Sequence, residues 1–282
     1  MVNRKEEIRE LMHLSPSDVI LRAGDHLKVC NNLEVLYHTF AQDIFNEILE
    51  NNHQRKPTRI ILPIGPIEQY PILVKLIQEN DIILEDCWFF FMDEYCDEQG
   101  SALKIGHPLS FKRVAKLYLF DPLNGDYGLN LKQIFFPNEF IITKLDNIIK
   151  EIGGIDTCYG GIGIQGHLAF NEPCPNIAKL NSRKVELNPF TITINAIRAQ
   201  VGGNLENFPK KAFTLGMKQI LESKRIKLYC RNGTSYDWAN TVLRIALFAT
   251  PGDDYPVTHI RNHSNYVIVT DKDTLEIPKI LL

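Results

Sequence analysis

Short apolar runs alternate with longer segments of helical periodicity along most of the chain. Residues 33–52 carry apolar side chains three and four positions apart, which predicts an amphipathic helix. The apolar run 59–65 predicts a buried strand that ends in a turn, and 87–92 predicts a second strand after a helix over about 67–79. The first half of the chain therefore predicts strands separated by helices.

The same alternation continues through the second half of the chain. It predicts a short strand at 116–120, a helix at 138–151, a strand at 155–159, an apolar segment at 212–215, a strand at 226–230, a helix at 235–248 and a strand at 266–270. The polar, proline-bearing stretch 173–209 predicts irregular or mobile structure. Residues 1–30 are polar with mixed helical signals, which predicts an N-terminal extension packed on the surface.

Alternating strands and helices favour one particular architecture. Such a chain builds a mainly parallel sheet whose two faces are both covered by helices. No internal repeat or low-complexity linker divides the sequence. We therefore predict an α/β fold with a single doubly wound, Rossmann-like sheet in residues 31–282, preceded by the extension 1–30.

Composition narrows the class of protein and of partner. The 282 residues are 44% hydrophobic and 23% charged, and the net charge of −3 gives no general attraction to nucleic acid or anionic membranes. No run approaches the roughly 20 apolar residues of a membrane helix, and the N-terminus lacks the apolar core of a signal peptide. Six cysteines stand singly, which is typical of free thiols in a reducing cytosol. We expect a cytoplasmic protein without nucleic-acid or membrane partners.

A glycine-rich turn follows the predicted strand 155–159 and leads directly into a histidine. The segment 160–173 reads Gly-Gly-Ile-Gly-Ile-Gln-Gly-His-Leu-Ala-Phe-Asn-Glu-Pro. Active sites of open α/β sheets collect at the carboxyl ends of strands, and an imidazole transfers protons near physiological pH. His167 is therefore a candidate catalytic residue, with Glu172 as the nearest carboxylate that could orient it and Gln165 in its polar surroundings.

A second candidate group follows the strand 87–92. Asp93 and Glu94 come directly after three phenylalanines and a methionine, so Asp93 emerges from an apolar core. Burial raises the pKa of a carboxylic acid and makes its carboxylate a stronger base. The sequence therefore predicts acid–base chemistry on a small molecule.

Other sites have weaker support. Gly161, Gly163 and Gly166 match the dinucleotide-binding pattern Gly-x-Gly-x-x-Gly, with Glu186 twenty residues further on. Pro173, close behind, stops the helix that would have to receive the pyrophosphate. Two histidines four residues apart (259 and 263) lack a metalloprotease pattern, and no Gly-x-Ser-x-Gly elbow occurs. We predict no metal and no cofactor.

The two candidate groups resemble the glucosamine-6-phosphate deaminase (isomerase) family. Residues 160–173 are similar to its signature Gly-Gly-(Ile/Val)-Gly-x-(Asp/Asn)-Gly-His-(Ile/Leu)-(Ala/Gly)-Phe-Asn-Glu-Pro, and 92–95 are similar to its Asp-Glu-Tyr segment. A weaker likeness runs from about 33 to 275. The 6-phosphogluconolactonases share the fold and the glycine–histidine turn but lack the Ala-Phe-Asn-Glu-Pro tail, so the tail favours the deaminase branch.

The resemblance implies a reaction and assigns roles to residues. Members convert an amino-sugar phosphate, glucosamine 6-phosphate, into fructose 6-phosphate and ammonia without metal or cofactor. The resemblance implies that His167, oriented by Glu172, opens the sugar ring and that Asp93 moves a proton between C2 and C1. It places a lid at about 173–206. Substrate-binding roles fall on Gly65, Glu94, Gly166, Arg198, Arg231 and Thr234.

The chain departs from the family pattern mainly where the phosphate would bind. The family loop after the first strand carries hydroxyl side chains, whereas this chain has Ile64, Pro66, Ile67 and Glu68. These residues supply no hydroxyl, remove one N–H donor and add a negative charge that repels phosphate.

Two further positions differ from the family. Gln165 stands where many members have an aspartate, so it can hydrogen-bond but cannot stabilise an imidazolium ion. Arg231 stands near the position of a family lysine, with Thr234 and Ser235 supplying hydroxyl groups.

Three functions therefore remain open from the sequence. The leading one is the deamination of glucosamine 6-phosphate. The second is a related isomerase or deaminase acting on a different sugar, for instance an unphosphorylated one, and the third is a non-catalytic sugar-binding protein. The sequence leaves homo-oligomer formation open.

Overall fold

The computed structural model describes residues 3–123, 125, 127–232 and 238–281. Its helices are α1 (Arg4–Met12), α2 (Pro16–Ala23), α3 (Leu33–His53), α4 (Gln69–Glu79), α5 (Phe111–Ala115), α6 (Leu145–Glu151), α7 (Pro189–Arg198), α8 (Met217–Leu221), α9 (Ala239–Phe248) and α10 (Lys272–Leu275). Its strands are β1 (Leu27–Cys30), β2 (Thr58–Leu62), β3 (Cys87–Phe91), β4 (Asp93–Tyr95), β5 (Ile134–Phe135), β6 (Thr157–Gly161), β7 (Arg183–Glu186), β8 (Lys211–Thr214), β9 (Arg225–Tyr229) and β10 (Tyr266–Asp271). None of the described helices is long and apolar enough to cross a membrane.

In the part of the chain that the structure describes, the main sheet has seven strands in the order β1-β10-β9-β6-β2-β3-β5. Each neighbouring pair is parallel. The chain builds outward from β2 to β3 and β5, then returns to β6 on the other side of β2. The predicted doubly wound parallel sheet is confirmed, and its strand order reverses between β2 and β6, the position where open sheets bind ligands.

Alternation along the strands divides the core into two layers. In β2, Ile61 packs into the layer that contains α9, whereas Ile60 and Leu62 pack into the layer that contains α3 and α4. In β3, Phe90 and Phe91 point to these same opposite layers. Residues 60–62 of β2 and 89–91 of β3 are buried on both faces and form continuous apolar runs, which is why the sequence identified these two strands.

A second, antiparallel sheet of three strands was not predicted. It has the order β4-β8-β7 in the described chain, with Asp93 opposite Thr214. Met92 joins the two sheets, because its N–H donates to the Leu62 carbonyl (3.1 Å) and its carbonyl accepts from the Leu215 N–H (2.7 Å). The chain thus leaves the main sheet immediately before Asp93.

The strand predicted at 116–120 is wrong, because these residues are helical. They form a π-helical turn that continues α5, which Ser110 begins by accepting a hydrogen bond from the Arg113 N–H (3.2 Å). Ala115 and Leu119, four positions apart, are buried, whereas Leu117 is exposed. That spacing belongs to a helix, and the four apolar residues that follow Lys116 are too few to reveal it.

The stretch 173–209 is not irregular, contrary to the prediction. It contains β7 and α7, and the start of α7 has a clear local cause. Asn188 accepts a hydrogen bond from the Thr191 N–H (2.9 Å), and Pro189 occupies the first helical position. These start signals were present in the sequence but were interpreted as loop composition.

Residues 1–30 were predicted as a surface extension, and that placement is wrong. They form α1, α2 and the edge strand β1, which pairs with β10. Leu14 and Val19 are buried in the same core layer as α9. Elsewhere, α6 begins seven residues later than the predicted helix 138–151, and part of the predicted helix 235–248 lies outside the described residues.

Candidate active site

A cavity of about 650 Å³ opens where the strand order reverses. Because the strands are parallel, the loops that follow β2, β3, β6 and β9 meet at one edge of the sheet and form its walls. They contribute Gly65, Asp93, His167 and Arg231, and α7 contributes Arg198 from the opposite side. The cavity therefore lies between the main sheet and α7.

The end of β6 lies unusually close to the loop after β2. A Cβ atom on Gly161 would lie 2.8 Å from the Gly65 carbonyl oxygen, which is closer than real contacts allow. Glycine at this position lets the two loops lie side by side. The close approach holds the β2 loop beside the histidine turn and so defines the floor of the cavity.

Asp93 lies at the start of β4 on the cavity wall, and its side chain is 8% exposed. Burial, followed by the nearby charge of Glu94, raises the pKa of the Asp93 carboxyl group to about 8. A carboxylate with such a pKa is a far stronger base than an exposed one. Asp93 can therefore accept a proton from a weakly acidic carbon close to neutral pH.

Glu94 points away from the cavity and caps α5. Its carboxylate accepts hydrogen bonds from Ser110 Oγ (3.0 Å) and from the N–H groups of Phe111 (3.0 Å) and Lys112 (2.9 Å). Burial raises the pKa of Glu94, and these hydrogen bonds partly oppose that rise. Glu94 therefore stabilises the cavity wall behind Asp93 and places a negative charge near the Asp93 carboxyl group. It does not line the cavity itself.

His167 lies over Gly163 with its imidazole on the cavity side. A Cβ atom on Gly163 would fall 1.9 Å from His167 Nε2, so only glycine leaves space for the ring. Burial, together with the charge of Arg198, lowers the pKa of His167 to about 4. The imidazole is therefore neutral at pH 7, and its Nδ1 has no hydrogen-bond partner among the described residues.

The loop after His167 is tied down by Asn171. Its Nδ2 donates to the carbonyls of Leu168 (2.9 Å) and Leu215 (2.8 Å), and its Oδ1 accepts from Arg183 (2.9 Å). Asn171 is fully buried, so these bonds replace the water it gives up. The histidine turn is thereby fixed to the segment that follows β8.

Gln165 and Glu172 converge on Asn188. Asn188 Nδ2 donates to Gln165 Oε1 (2.5 Å), and the Asn188 N–H donates to Glu172 Oε2 (2.8 Å). Glu172 Oε1 is buried without a hydrogen-bond partner in the described chain, where no hydrogen bond joins Glu172 to His167. Glu172, which was expected to orient His167, instead holds the first turn of α7 together with Gln165, and burial raises the pKa of Glu172.

The helix α7 forms the roof of the cavity. Its residues Asn195, Ile197 and Arg198 line the cavity, and the Arg198 guanidinium lies 5.4 Å from the centre of the Trp238 ring. The roof occupies the region where the sequence predicted a lid. It is fastened to the histidine loop through Asn188, which the sequence did not single out.

One end of the cavity carries an ion pair. Arg231 Nη2 lies 3.5 Å from Glu68 Oε2, and the guanidinium lies 5.3 Å from the centre of the Tyr37 ring. Burial is the main cause that raises the pKa of Tyr37 to about 12, so its hydroxyl stays protonated at pH 7. The charges at this end are therefore already partly balanced within the protein.

The structure brings together only part of the predicted site. Gly65, Asp93, His167, Arg198 and Arg231 line the cavity. Three other predicted residues stand behind the wall, and these are Glu94, Gln165 and Glu172. Gly166 contacts the segment after α9, where its carbonyl accepts from the Val257 N–H (2.7 Å). The predicted Thr234 lies outside the described residues.

Among the described residues, no group of three or more histidine, cysteine, aspartate or glutamate side chains is arranged to hold a metal ion. The cavity offers a buried base, a neutral imidazole and two guanidinium groups instead. This set suits proton transfer on a polar small molecule.

Comparison with known proteins relates this geometry to a family. No protein-family model matches the chain. The glucosamine-6-phosphate deaminase of Clostridium botulinum (strain Eklund 17B / Type B) is 30% identical over 252 residues, covering 87% of this chain and 93% of that protein.

Solved structures agree with this relationship. A glucosamine-6-phosphate deaminase described as monomeric superposes with a TM-score of 0.75 at 25% identity, covering 88% of this chain and 98% of the other. The 6-phosphogluconolactonase of Thermotoga maritima superposes with a TM-score of 0.63 at 15% identity, over 87% of this chain and 99% of the other, and shares the fold. The chain belongs to the glucosamine-6-phosphate deaminase family.

Proposed function

We propose that the protein converts glucosamine 6-phosphate into fructose 6-phosphate and ammonia by an isomerising deamination. The observation that carries this proposal is the pairing of Asp93, whose pKa is raised to about 8, with the neutral His167 in one cavity. Membership of a deaminase family supports the reaction class.

Ring opening is the first step of the proposed reaction. It moves a proton from the anomeric hydroxyl group and delivers one to the ring oxygen. A neutral imidazole can do both, since one ring nitrogen accepts and the other donates. His167 suits this role because its pKa is lowered to about 4 and its Nδ1 has no described partner.

The second step moves a proton from C2 to C1. The Asp93 carboxylate takes the C2 proton from the open-chain aldehyde while O1 gains a proton from solvent, which leaves an enolamine. Asp93 then delivers its proton to C1 while the amino group releases one to solvent. The product is an imine at C2, which water hydrolyses to the ketose and ammonia. A positioned general base of this kind contributes on the order of 10²–10⁴-fold to the rate.

The roof helix supports the proposal by limiting access of water. The enolamine and imine are reactive, and a closed site prevents premature side reactions. Gln165 and Glu172 hold Asn188 at the start of α7, and Arg198 lies at the end of the same helix. We assign Gln165 and Glu172 to positioning this roof beside His167, and Gly166 and Glu94 to shaping the two walls.

The experiment is release of ammonia from glucosamine 6-phosphate, coupled to detection of fructose 6-phosphate. Asp93→Asn keeps the size of the side chain and removes its basicity, so it serves as the blank. We expect turnover in the wild type and a loss of about 10²-fold or more in the variant. An unchanged rate in a correctly folded variant would refute the role of Asp93.

A second function has one specific observation in its favour. The ion pair of Glu68 with Arg231 lies at the end of the cavity that a phosphate group would enter, which favours a different, unphosphorylated amino sugar. Thermal melting with a panel of sugars separates the two. A stabilisation confined to glucosamine 6-phosphate contradicts the second function, and Asp93-dependent turnover of any amino sugar excludes a purely binding role.

We place this activity in the cytoplasm. All six cysteines are free, and five of them are buried. Buried thiols of this kind pack as small apolar side chains and fit a reducing compartment. Fractionation of the native cells with a specific antibody tests the placement, and recovery outside the cytoplasm would contradict it.

A further inference from the structure

The cavity has an end built like an anion site. The chain passes from β2 through a short loop into α4, where the Tyr70 N–H already donates to the Ile67 carbonyl (3.0 Å) and Pro71 has no N–H, so the helix offers mainly the positive end of its dipole. A helix N-terminus that faces a cavity attracts negative charge, and the Arg231 guanidinium stands at the same end. Positive features thus converge from two separate segments of the chain.

A carboxylate of the protein itself already occupies this end. Glu68 Oε2 accepts a hydrogen bond from the Ile67 N–H (3.0 Å) and lies 3.5 Å from Arg231 Nη2. Tyr37 lies under the Arg231 guanidinium and is half-buried. One carboxylate therefore engages both a backbone donor ahead of α4 and the guanidinium.

The side chains of this loop offer no further hydrogen-bond donor to a bound phosphate group. Ile64 and Ile67 carry no polar side-chain atom, and Pro66 has no N–H. Arg231 Nε is buried without a hydrogen-bond partner among the described residues. Arg231 is therefore the charged side chain that a bound phosphate would have to share with Glu68.

We propose that Glu68 is a specificity-determining residue, an internal anion that competes with the phosphate group of the substrate for Arg231. This inference rests on the proposed function and identifies a residue that sets the substrate preference of the site. The carboxylate weakens binding of phosphorylated amino sugars, so glucosamine 6-phosphate binds less tightly than Arg231 alone would allow and is less strongly preferred over an unphosphorylated sugar.

The geometry allows the competition to be reversible. The Glu68 side chain is 47% exposed, so the carboxylate can turn into solvent when phosphate arrives. The binding free energy must then cover the loss of the Glu68–Arg231 contact and the repulsion between two anions. This cost falls on ground-state affinity, because neither Glu68 nor Arg231 takes part in the proposed proton transfers, so it is expected in KM more than in kcat.

The kinetic test uses Glu68→Gln, with Glu68→Ser in parallel in case the first variant folds poorly. We expect KM for glucosamine 6-phosphate to fall by about tenfold, because removing a like charge from an anion site relieves electrostatic repulsion. KM for unphosphorylated glucosamine should not fall. The control is Glu79→Gln, which removes the same charge from the other, exposed end of α4.

A binding test does not depend on turnover. The melting temperatures of wild type, Glu68→Gln and Glu79→Gln are compared with increasing inorganic phosphate, at constant ionic strength. We expect greater stabilisation by phosphate in Glu68→Gln than in the other two proteins. The double variant Glu68→Gln/Arg231→Gln should lose this gain, because the guanidinium that Glu68 releases is then absent.

The outcomes separate this inference from the proposed function. Phosphate that protects Glu68→Gln no better than the wild type overturns the role of Glu68, whether or not the protein is active. A wild type that releases no ammonia refutes the proposed function, while the phosphate titration still decides the role of Glu68. A gain that persists in the double variant also overturns the inference, since the competition would not be for Arg231.

Discussion

Replacing Asp93 by asparagine should make the protein more stable while it abolishes turnover. The two side chains have almost the same shape, so packing around the site is retained. Asp93 is 8% exposed, and its negative charge lies beside Glu94 in an apolar wall. The protein therefore loses stability by holding this charge, and removing the charge recovers it.

The magnitude follows from the difference in pKa between the two states. The pKa of Asp93 rises from 3.8 to about 8 on folding, a shift of about 4 units. At about 1.4 kcal/mol per unit, the cost of ionised Asp93 reaches an upper bound of about 6 kcal/mol at alkaline pH. The buried amide has a desolvation cost of its own, so we expect a gain on the order of 2–3 kcal/mol.

The sign gives a definite pH dependence. Well below pH 3.8 the Asp93 carboxyl group is protonated in both the folded and the unfolded chain, so its ionisation does not change the free energy of unfolding there. Between about pH 4 and 8 the unfolded chain releases the proton and the folded chain keeps it, so wild-type stability falls as pH rises. The advantage of Asp93→Asn should therefore grow through this window and level off above about pH 8.

Urea unfolding followed by circular dichroism at several pH values between 5 and 9 measures this difference. The matched control is Asp86→Asn, which removes an exposed aspartate just before β3, at the far end of the strand from Asp93. We expect a pH-dependent gain only in Asp93→Asn. A free energy of unfolding that does not differ from wild type at pH 8, or differs equally at pH 5 and 8, would refute the argument from burial.

Three further predictions concern activity. The value of kcat/KM should rise with pH up to about 8, because Asp93 must be ionised to accept the C2 proton; a flat profile in the ammonia assay contradicts this. Glu94→Gln should shift the midpoint of that profile to lower pH, because the charge that raises the pKa of Asp93 is removed; a shift to higher pH would exclude this coupling. Gly163→Ala should lower kcat by about 10²-fold, because its methyl group displaces the His167 ring; an unchanged kcat in a folded variant shows that the ring position is unimportant.

Local patterns in the sequence were enough for much of the fold. The strand 87–92 was identified because both of its faces are buried, which leaves an uninterrupted apolar run, and 226–230 was identified although Lys227 interrupts its apolar residues. The segment 116–120 was misassigned because its four apolar residues fit a strand or a helix equally well. The start of α7 was missed although an Asn-Pro pair marks it, since the surrounding residues are polar.

The positions of Asp93 and His167 could be predicted because each depends on neighbours in the chain, a buried strand followed by a turn. Parallel strands then bring these turns to one edge whatever the details of packing.

The partners of other residues depended on the folded structure. Glu94 caps α5, Asn188 joins the histidine loop to α7, and Glu68 meets Arg231 from a distant strand. These contacts form between segments far apart in the chain, and electrostatic and hydrogen-bond energies depend on distance in space. The residues at the strand ends that carry the proposed chemistry could therefore be identified from the local sequence. The contacts that form the roof and the anion end of the cavity are determined by tertiary packing.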